Sequence, residues 1–160
     1  MIKILFVCHG NICRSPMAEM IFAEQLRAAG LKKEFAVSSA AVSTEETGNP
    51  LYPPARQVLE RHGVPVLPHA ARQITKKDYE EQDLILMMEN THLRRAERLL
   101  GGDPQGKMRL LGTYGRQGEI EDPWYTGRFE RVYEQLELCC RALLNTLTQE
   151  KQDRKEGEKP

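Results

Sequence analysis

The hydrophobic positions alternate along the chain between short apolar runs and longer stretches with helical spacing. Short runs are typical of parallel strands covered on both faces, and four strands are predicted, at residues 4–7, 35–39, 83–88 and 107–111. Helices are predicted at residues 16–29, 54–63 and 129–147. Two more are predicted between them: one begins after a cap formed by Thr75 and Asp78, and one runs from its cap Asn90 to Gly101. Strands that alternate with helices predict an α/β protein with an open parallel sheet.

The C-terminal part of the chain contains the clearest helical pattern. Apolar residues follow helical spacing over about five turns up to Leu147, and no apolar residue follows between Thr148 and Pro160. We therefore predict one domain at residues 1–147 and a charged, disordered tail at residues 148–160. A chain of 160 residues, 40% of them hydrophobic, suits a single domain with one core.

The first strand leads into a loop with the features of an anion site. The strand delivers Cys8 to the carboxyl edge of the sheet, where open α/β sheets bind ligands. The residues from Cys8 to Arg14 are numerous enough to wrap around a tetrahedral anion with their N–H groups pointing inward. Gly10 and Asn11 tolerate the positive φ that such a loop needs. We predict Ser15 as the N-cap of the following helix, whose N-terminus would face the same anion.

The same loop gathers groups that suit nucleophilic catalysis. Amide donors, a helix N-terminus and a nearby guanidinium all favour the thiolate form of Cys8, which is the nucleophilic form. Arg14 can hold two phosphoryl oxygens with its planar fork, and Ser15 can donate a hydrogen bond to the sulfur. A buried structural cysteine beside a capping serine is the alternative. A zinc site lacks a second pair of ligands, so we expect neither a metal nor a cofactor.

Charge and cysteine content narrow the possible partners and compartment. The chain contains 23 Lys and Arg residues and 23 Asp and Glu residues, so its net charge gives no reason to expect nucleic acid or membrane as a partner. Its four cysteines have no disulfide-like spacing, which indicates a reducing compartment. The apolar run at residues 4–7 is too short for a signal peptide or a membrane span. We therefore expect a cytoplasmic protein.

The N-terminal motif resembles that of the low-molecular-weight protein-tyrosine phosphatases. The pattern is C-x5-R-S within VCHGNICRSPMAE at residues 7–19, and it is followed by SSAA at 38–41, HAARQITK at 69–76, DLILMM at 83–88 and DPWY at 122–125. The resemblance covers about residues 2–147. It implies a flavodoxin-like phosphatase fold with four parallel strands in the order 2-1-3-4, helices on both faces, and phosphotyrosine proteins as substrates.

The resemblance also assigns roles to residues near the end of the last strand. Asp122 matches the general acid, although an Asp-Pro pair by itself is a common turn starter. Trp124 and Tyr125 match an aromatic wall for the substrate ring. Tyr125 is also where members of the family can be phosphorylated, so a tyrosine kinase is a possible partner.

Further residues match the phosphate loop and the groups that support it. The resemblance implies phosphate binding or loop support by His9, Gly10, Asn11, Ile12, Cys13, Ser15, Ser39 and His69. Three positions depart from the family pattern. His9 replaces an apolar residue, Glu45 replaces an aromatic residue for which Tyr52 is a possible substitute, and Glu89 replaces an aspartate at a helix start. His62 and His92 are predicted on helix surfaces.

Several functions remain open from the sequence. The leading hypothesis is phosphotyrosine hydrolysis through a cysteinyl-phosphate intermediate, in which Cys8 is the nucleophile, Arg14 binds phosphate and Asp122 is the acid and base. The alternatives are a protein-arginine phosphatase on the same fold and an inactive phosphate-binding module. Arsenate reduction is disfavoured because no redox cysteine lies between Cys13 and Cys139. Peroxide is expected to join Cys8 and Cys13 in a disulfide.

Overall fold

The computed structural model describes residues 1–158 and contains one four-stranded parallel sheet in the order β2-β1-β3-β4. Its strands are β1 (Ile2–Cys8), β2 (Phe35–Ala41), β3 (Leu84–Met87) and β4 (Met108–Leu110). The predicted α/β class and strand order are confirmed.

Helices cover both faces of this sheet. They are α1 (Arg14–Ala28), α2 (Pro53–Arg61), α3 (Lys76–Glu81), α4 (Asn90–Leu100), α5 (Pro123–Thr126) and α6 (Phe129–Gly157), with short 3₁₀ turns at residues 32–34 and 111–113. Helices α1, α2 and α6 pack on one face, and α3 and α4 pack on the other. Within residues 1–158, no helix is both long enough and apolar enough to cross a bilayer.

The central strand β1 has apolar side chains on both faces because both faces are covered. Ile4 and Phe6 belong to the core shared with α1 and α6, whereas Leu5 and Val7 belong to the core shared with α4. All four side chains are fully buried. The alternation of a strand therefore places every residue of this apolar run in one of two cores.

Two of the predicted helix caps are wrong, and both errors concern residues near the site. Ser15 lies inside α1, which begins at Arg14, and its hydroxyl bonds to Cys8 and Asn11 instead of capping the helix. Asn90 is the first residue of α4 rather than its cap, and its N–H donates to Glu119. The capping box of α3, formed by Thr75 and Asp78, is present as predicted.

The tail prediction is wrong for the residues that the structure describes. Helix α6 continues through residues 148–157, and residues 159–160 lie outside the described part of the chain. Polar side chains extend this helix through contacts one turn apart, such as Gln149 to Asp153, and through an ion pair between Lys151 and Glu34. The proposed domain boundary at residue 147 therefore falls inside a helix.

Candidate active site

A cavity of about 150 Å³ opens at the carboxyl end of β1 and contains most of the predicted site residues. Its lining consists of Cys8, His9, Gly10, Ile12, Cys13, Arg14, Glu45, Glu46, Asp122, Trp124 and Tyr125. The residues of the predicted loop thus meet the predicted acid and aromatic wall, which come from more than a hundred residues further along the chain.

The Cys8 sulfur lies at the base of the loop among hydrogen-bond donors. The Asn11 backbone N–H donates to Sγ at 3.3 Å, and the Ser15 hydroxyl lies 3.0 Å from the same atom. Cys8 itself is only 3% exposed. Two donors are therefore available to a sulfur that carries a negative charge, as a nucleophile or as a leaving group.

Asn11 holds the loop in a conformation that few residues other than glycine adopt. Its φ is +61°, and its side chain is fully buried. The amide nitrogen donates to Ser15 at 2.8 Å and to Ser39 at 3.0 Å, and the amide oxygen accepts from the Arg72 backbone at 3.2 Å. His69 donates to the Asn11 carbonyl at 2.6 Å. Asn11 thus contacts both Ser39 and His69, the other two residues that the sequence predicts as loop supports.

Glu19 extends this network and was not predicted as a site residue. Its carboxylate accepts a hydrogen bond of 2.6 Å from the Ser39 hydroxyl. Burial raises the pKa of the Glu19 carboxyl, and the bond from Ser39 opposes that shift. The sequence feature that could have identified Glu19 is its position as the last residue of the motif at residues 7–19, on the helix that follows the loop.

Arg14 is almost fully buried and is held by three groups from two distant segments, the loops that follow β3 and β4. Its guanidinium donates to the Ile120 carbonyl at 2.8 Å, lies 2.7 Å from a Glu89 carboxylate oxygen and lies 3.3 Å from an Asp122 carboxylate oxygen. A buried charge is stable only when it is paired and hydrogen-bonded. These partners therefore fix the direction in which Arg14 faces the cavity.

Two further residues lie close to Arg14 or to its partners. Glu89 stands at the start of α4, as predicted, and its carboxylate contacts Arg14. His92 is buried rather than on the helix surface, and its Nε2 lies 3.4 Å from Glu89. Burial lowers the pKa of His92 to about 3, so its imidazole is neutral at pH 7. His92 was predicted on the helix surface because the sequence does not show which face of α4 packs against the rest of the protein.

Asp122 both caps a helix and lines the cavity, two roles that the sequence alone does not distinguish. Its carboxylate accepts from the Trp124 N–H at 3.1 Å and so caps α5, which begins at Pro123. The same carboxylate lines the cavity and reaches Arg14. A common turn starter thus also contributes a carboxylate to the cavity that Cys8 lines.

The rim of the cavity is aromatic in part and acidic in part. Trp124 and Tyr125 are 53% and 85% exposed, so their rings are available to a ligand. Tyr52 does not line the cavity; its ring packs 4.9 Å from the Trp124 ring and supports it. The suggested substitution by Tyr52 is therefore wrong, and Glu45 with Glu46 occupies that part of the rim.

Cys13 lies in the same loop but differs from Cys8 in its surroundings. It is 6% exposed, and burial, followed by the nearby Cys8, raises the pKa of its thiol. All four cysteines are free thiols. A disulfide between Cys8 and Cys13 under peroxide stays a prediction.

Comparison with known proteins confirms the resemblance found in the motif. The family model described as low molecular weight phosphotyrosine protein phosphatase matches residues 3–153. The human protein of that name is 43% identical over 148 residues, which cover 89% of this chain and 93% of the human one. The chain belongs to this family.

Solved structures agree with that assignment. The crystal structure of YfkJ from Bacillus subtilis has a TM-score of 0.90 and 33% identity, covering 94% of this chain and 97% of its own. The crystal structure of a Drosophila arginine phosphatase has a TM-score of 0.84 and 32% identity, covering 91% of this chain and 98% of its own.

The first prediction concerns Glu89. Glu89→Gln removes one of the two carboxylate charges that contact Arg14, and we expect kcat/KM for p-nitrophenyl phosphate to fall about ten- to a hundredfold, the effect of losing a charged hydrogen bond. Glu119→Gln is the matched control, because Glu119 is near the start of α4 but bonds only to the Asn90 N–H. Equal activities of the two variants would show that Glu89 does not orient Arg14.

Proposed function

We propose that the protein hydrolyses phosphotyrosine in proteins through a cysteinyl-phosphate intermediate. The observation that carries this proposal is the meeting of Cys8, Arg14 and Asp122 in the lining of one small cavity. Relatives named phosphotyrosine protein phosphatases support it. The four cysteines lack the spacing of a disulfide framework, which supports a reducing compartment, and we propose the cytoplasm.

In the first step, the loop amides and Arg14 bind the nonreacting phosphate oxygens. The Cys8 thiolate attacks phosphorus, so a sulfur–phosphorus bond forms while the bond from phosphorus to the tyrosine oxygen breaks. Asp122 in its protonated form gives its proton to that oxygen, and tyrosine leaves as the neutral phenol. Charge on the phosphoryl group is balanced by Arg14 throughout.

In the second step, the Asp122 carboxylate takes a proton from water, and the resulting nucleophile attacks phosphorus. The sulfur–phosphorus bond breaks, and Cys8 leaves as the thiolate. The Ser15 hydroxyl, 3.0 Å from the sulfur, donates to that developing charge. Inorganic phosphate is released and Asp122 is again protonated for the next cycle.

Preference for phosphotyrosine over phosphoarginine rests on the cavity walls. Ile12 contributes an apolar side chain, and Trp124 with Tyr125 offers flat rings to a phenyl group. The Drosophila arginine phosphatase, similar in fold, and the acidic rim favour phosphoarginine as the second candidate. An inactive module is disfavoured because the nucleophile, the arginine and the acid are all present. Tyr125, 85% exposed, is accessible to a partner kinase.

The second prediction tests the nucleophile. Cys8→Ser is expected to abolish turnover of p-nitrophenyl phosphate, because a hydroxyl is a far weaker nucleophile in the same place. Inorganic phosphate should still bind, since the amide loop and Arg14 are unchanged, and this binding serves as the control for folding. Turnover close to that of the wild type would exclude the covalent route.

The third prediction separates the acid role of Asp122 from its role as a helix cap. Asp122→Asn keeps an acceptor for the Trp124 N–H but has no proton to give. We expect it to lose about two to four decades of kcat on alkyl phosphates, and less on aryl phosphates with good leaving groups. Asp122→Ala should lose a similar amount. Equal losses on all leaving groups would mean that Asp122 does not protonate them.

The fourth prediction concerns Ile12. We expect kcat/KM for phosphotyrosine peptides to exceed that for phosphoarginine peptides at least about tenfold, or roughly 1.4 kcal/mol. Ile12→Thr should shift this ratio toward arginine because it places a hydroxyl in the cavity wall, whereas the control Ile12→Val should not. Equal or reversed specificity in the wild type would contradict the phosphotyrosine assignment and leave the cysteine chemistry standing.

A further inference from the structure

A chain of three polar side chains runs along one side of the cavity rim. Arg95 of α4 lies 3.2 Å from His9 Nδ1, and His9 Nε2 lies 2.9 Å from a Glu45 carboxylate oxygen. A guanidinium has only donors, so Nδ1 accepts and Nε2 carries the hydrogen that is donated to Glu45. The His9 imidazole therefore accepts from Arg95 and donates to the Glu45 carboxylate.

Glu45 is exposed and yet held in place at the cavity mouth. Its side chain is 69% exposed, but the bond from His9 fixes its carboxylate beside the anion loop. That hydrogen bond also lowers the pKa of the Glu45 carboxyl, which is therefore ionised at neutral pH. Such a carboxylate loses less side-chain freedom when it pairs with a ligand than a mobile one does.

Two arginines lie near the cavity, one on its floor and one outside its lining. Arg14 is 2% exposed and faces the cavity floor, where the phosphoryl group binds in the proposed reaction. Arg95 lies behind His9 and is not part of the described cavity lining. Glu46, which Asn49 holds at 2.6 Å, adds a second carboxylate to the same lining. A peptide that inserts its phosphotyrosine therefore presents its neighbouring side chains to a negative rim.

We propose that Glu45, oriented by His9 and Arg95, is a specificity-determining residue that selects phosphotyrosine peptides with a lysine or arginine next to the phosphotyrosine. This inference rests on the proposed phosphotyrosine hydrolysis. A basic neighbour gains an ion pair with Glu45, and an acidic neighbour is repelled by it. Glu45, on which this preference for basic neighbours depends, stands where the family pattern has an aromatic residue.

The experiment compares two phosphotyrosine peptides that differ only in having lysine or glutamate on either side of the phosphotyrosine. At low ionic strength, kcat/KM of the wild type should favour the lysine peptide about three- to fivefold, the range of an exposed ion pair. Glu45→Gln should lower this ratio toward one, and Glu45→Lys should invert it. The matched control is Glu80→Gln, which removes one exposed charge from α3, outside the cavity lining.

Each outcome distinguishes this inference from the function on which it rests. A ratio near one in the wild type, or a ratio unchanged by Glu45→Gln, would overturn the role of Glu45 while both peptides are still hydrolysed. A ratio that falls equally in Glu80→Gln would assign the preference to overall charge and overturn it as well. Failure to hydrolyse either peptide, with p-nitrophenyl phosphate still turned over, would overturn the phosphotyrosine proposal and this inference with it.

Discussion

The left-handed backbone of Asn11 is the constraint on which the site depends. A loop can aim its amides at one point only if some residue reverses the direction of the chain, and a side chain in that conformation is strained unless its surroundings compensate. Here the compensation comes from hydrogen bonds to Ser15, Ser39 and the Arg72 backbone, while His69 binds the carbonyl. The anion loop is therefore shaped by the ends of β2 and the segment before α3, not by its own residues alone.

Arg14 adds a second constraint, because its charge is buried. The guanidinium needs partners within the protein, and it finds them in Ile120, Glu89 and Asp122. These lie on the loops that follow β3 and β4, at the same edge of the sheet. One buried cation thus connects the loop from Cys8 to Arg14 with Asp122, so a single side chain holds together the groups of the proposed reaction.

The residues on the floor of the cavity are buried, whereas those at its rim are exposed. On the floor, Cys8, Asn11 and Arg14 are buried and hydrogen-bonded, and a change there leaves a donor or a charge without its partner. At the rim, Glu45, Trp124 and Tyr125 are exposed and can change with little cost to the fold. The proposed chemistry therefore depends on the buried network, and the proposed selection among phosphorylated substrates depends on the rim.

The sequence by itself determined the features that arise from neighbouring residues. The apolar run of β1, the capping box of Thr75 and Asp78 and the loop from Cys8 to Arg14 follow from local pattern and backbone preference. The resemblance to the family then predicted the strand order and the place of Asp122 in the site. By itself, the Asp-Pro sequence at Asp122 does not distinguish a turn from a catalytic acid.

Tertiary structure alone decided the contacts between residues that are distant in sequence. Ser15 bonds to the sulfur instead of capping its helix, Glu89 holds Arg14, and His92 is buried behind them. The polar residues after Leu147 continue a helix, in part because Lys151 pairs with Glu34 across the fold. The physical reason is common to all of them: a polar side chain can satisfy its hydrogen bonds locally or through a remote partner, and only packing brings the remote partner within reach.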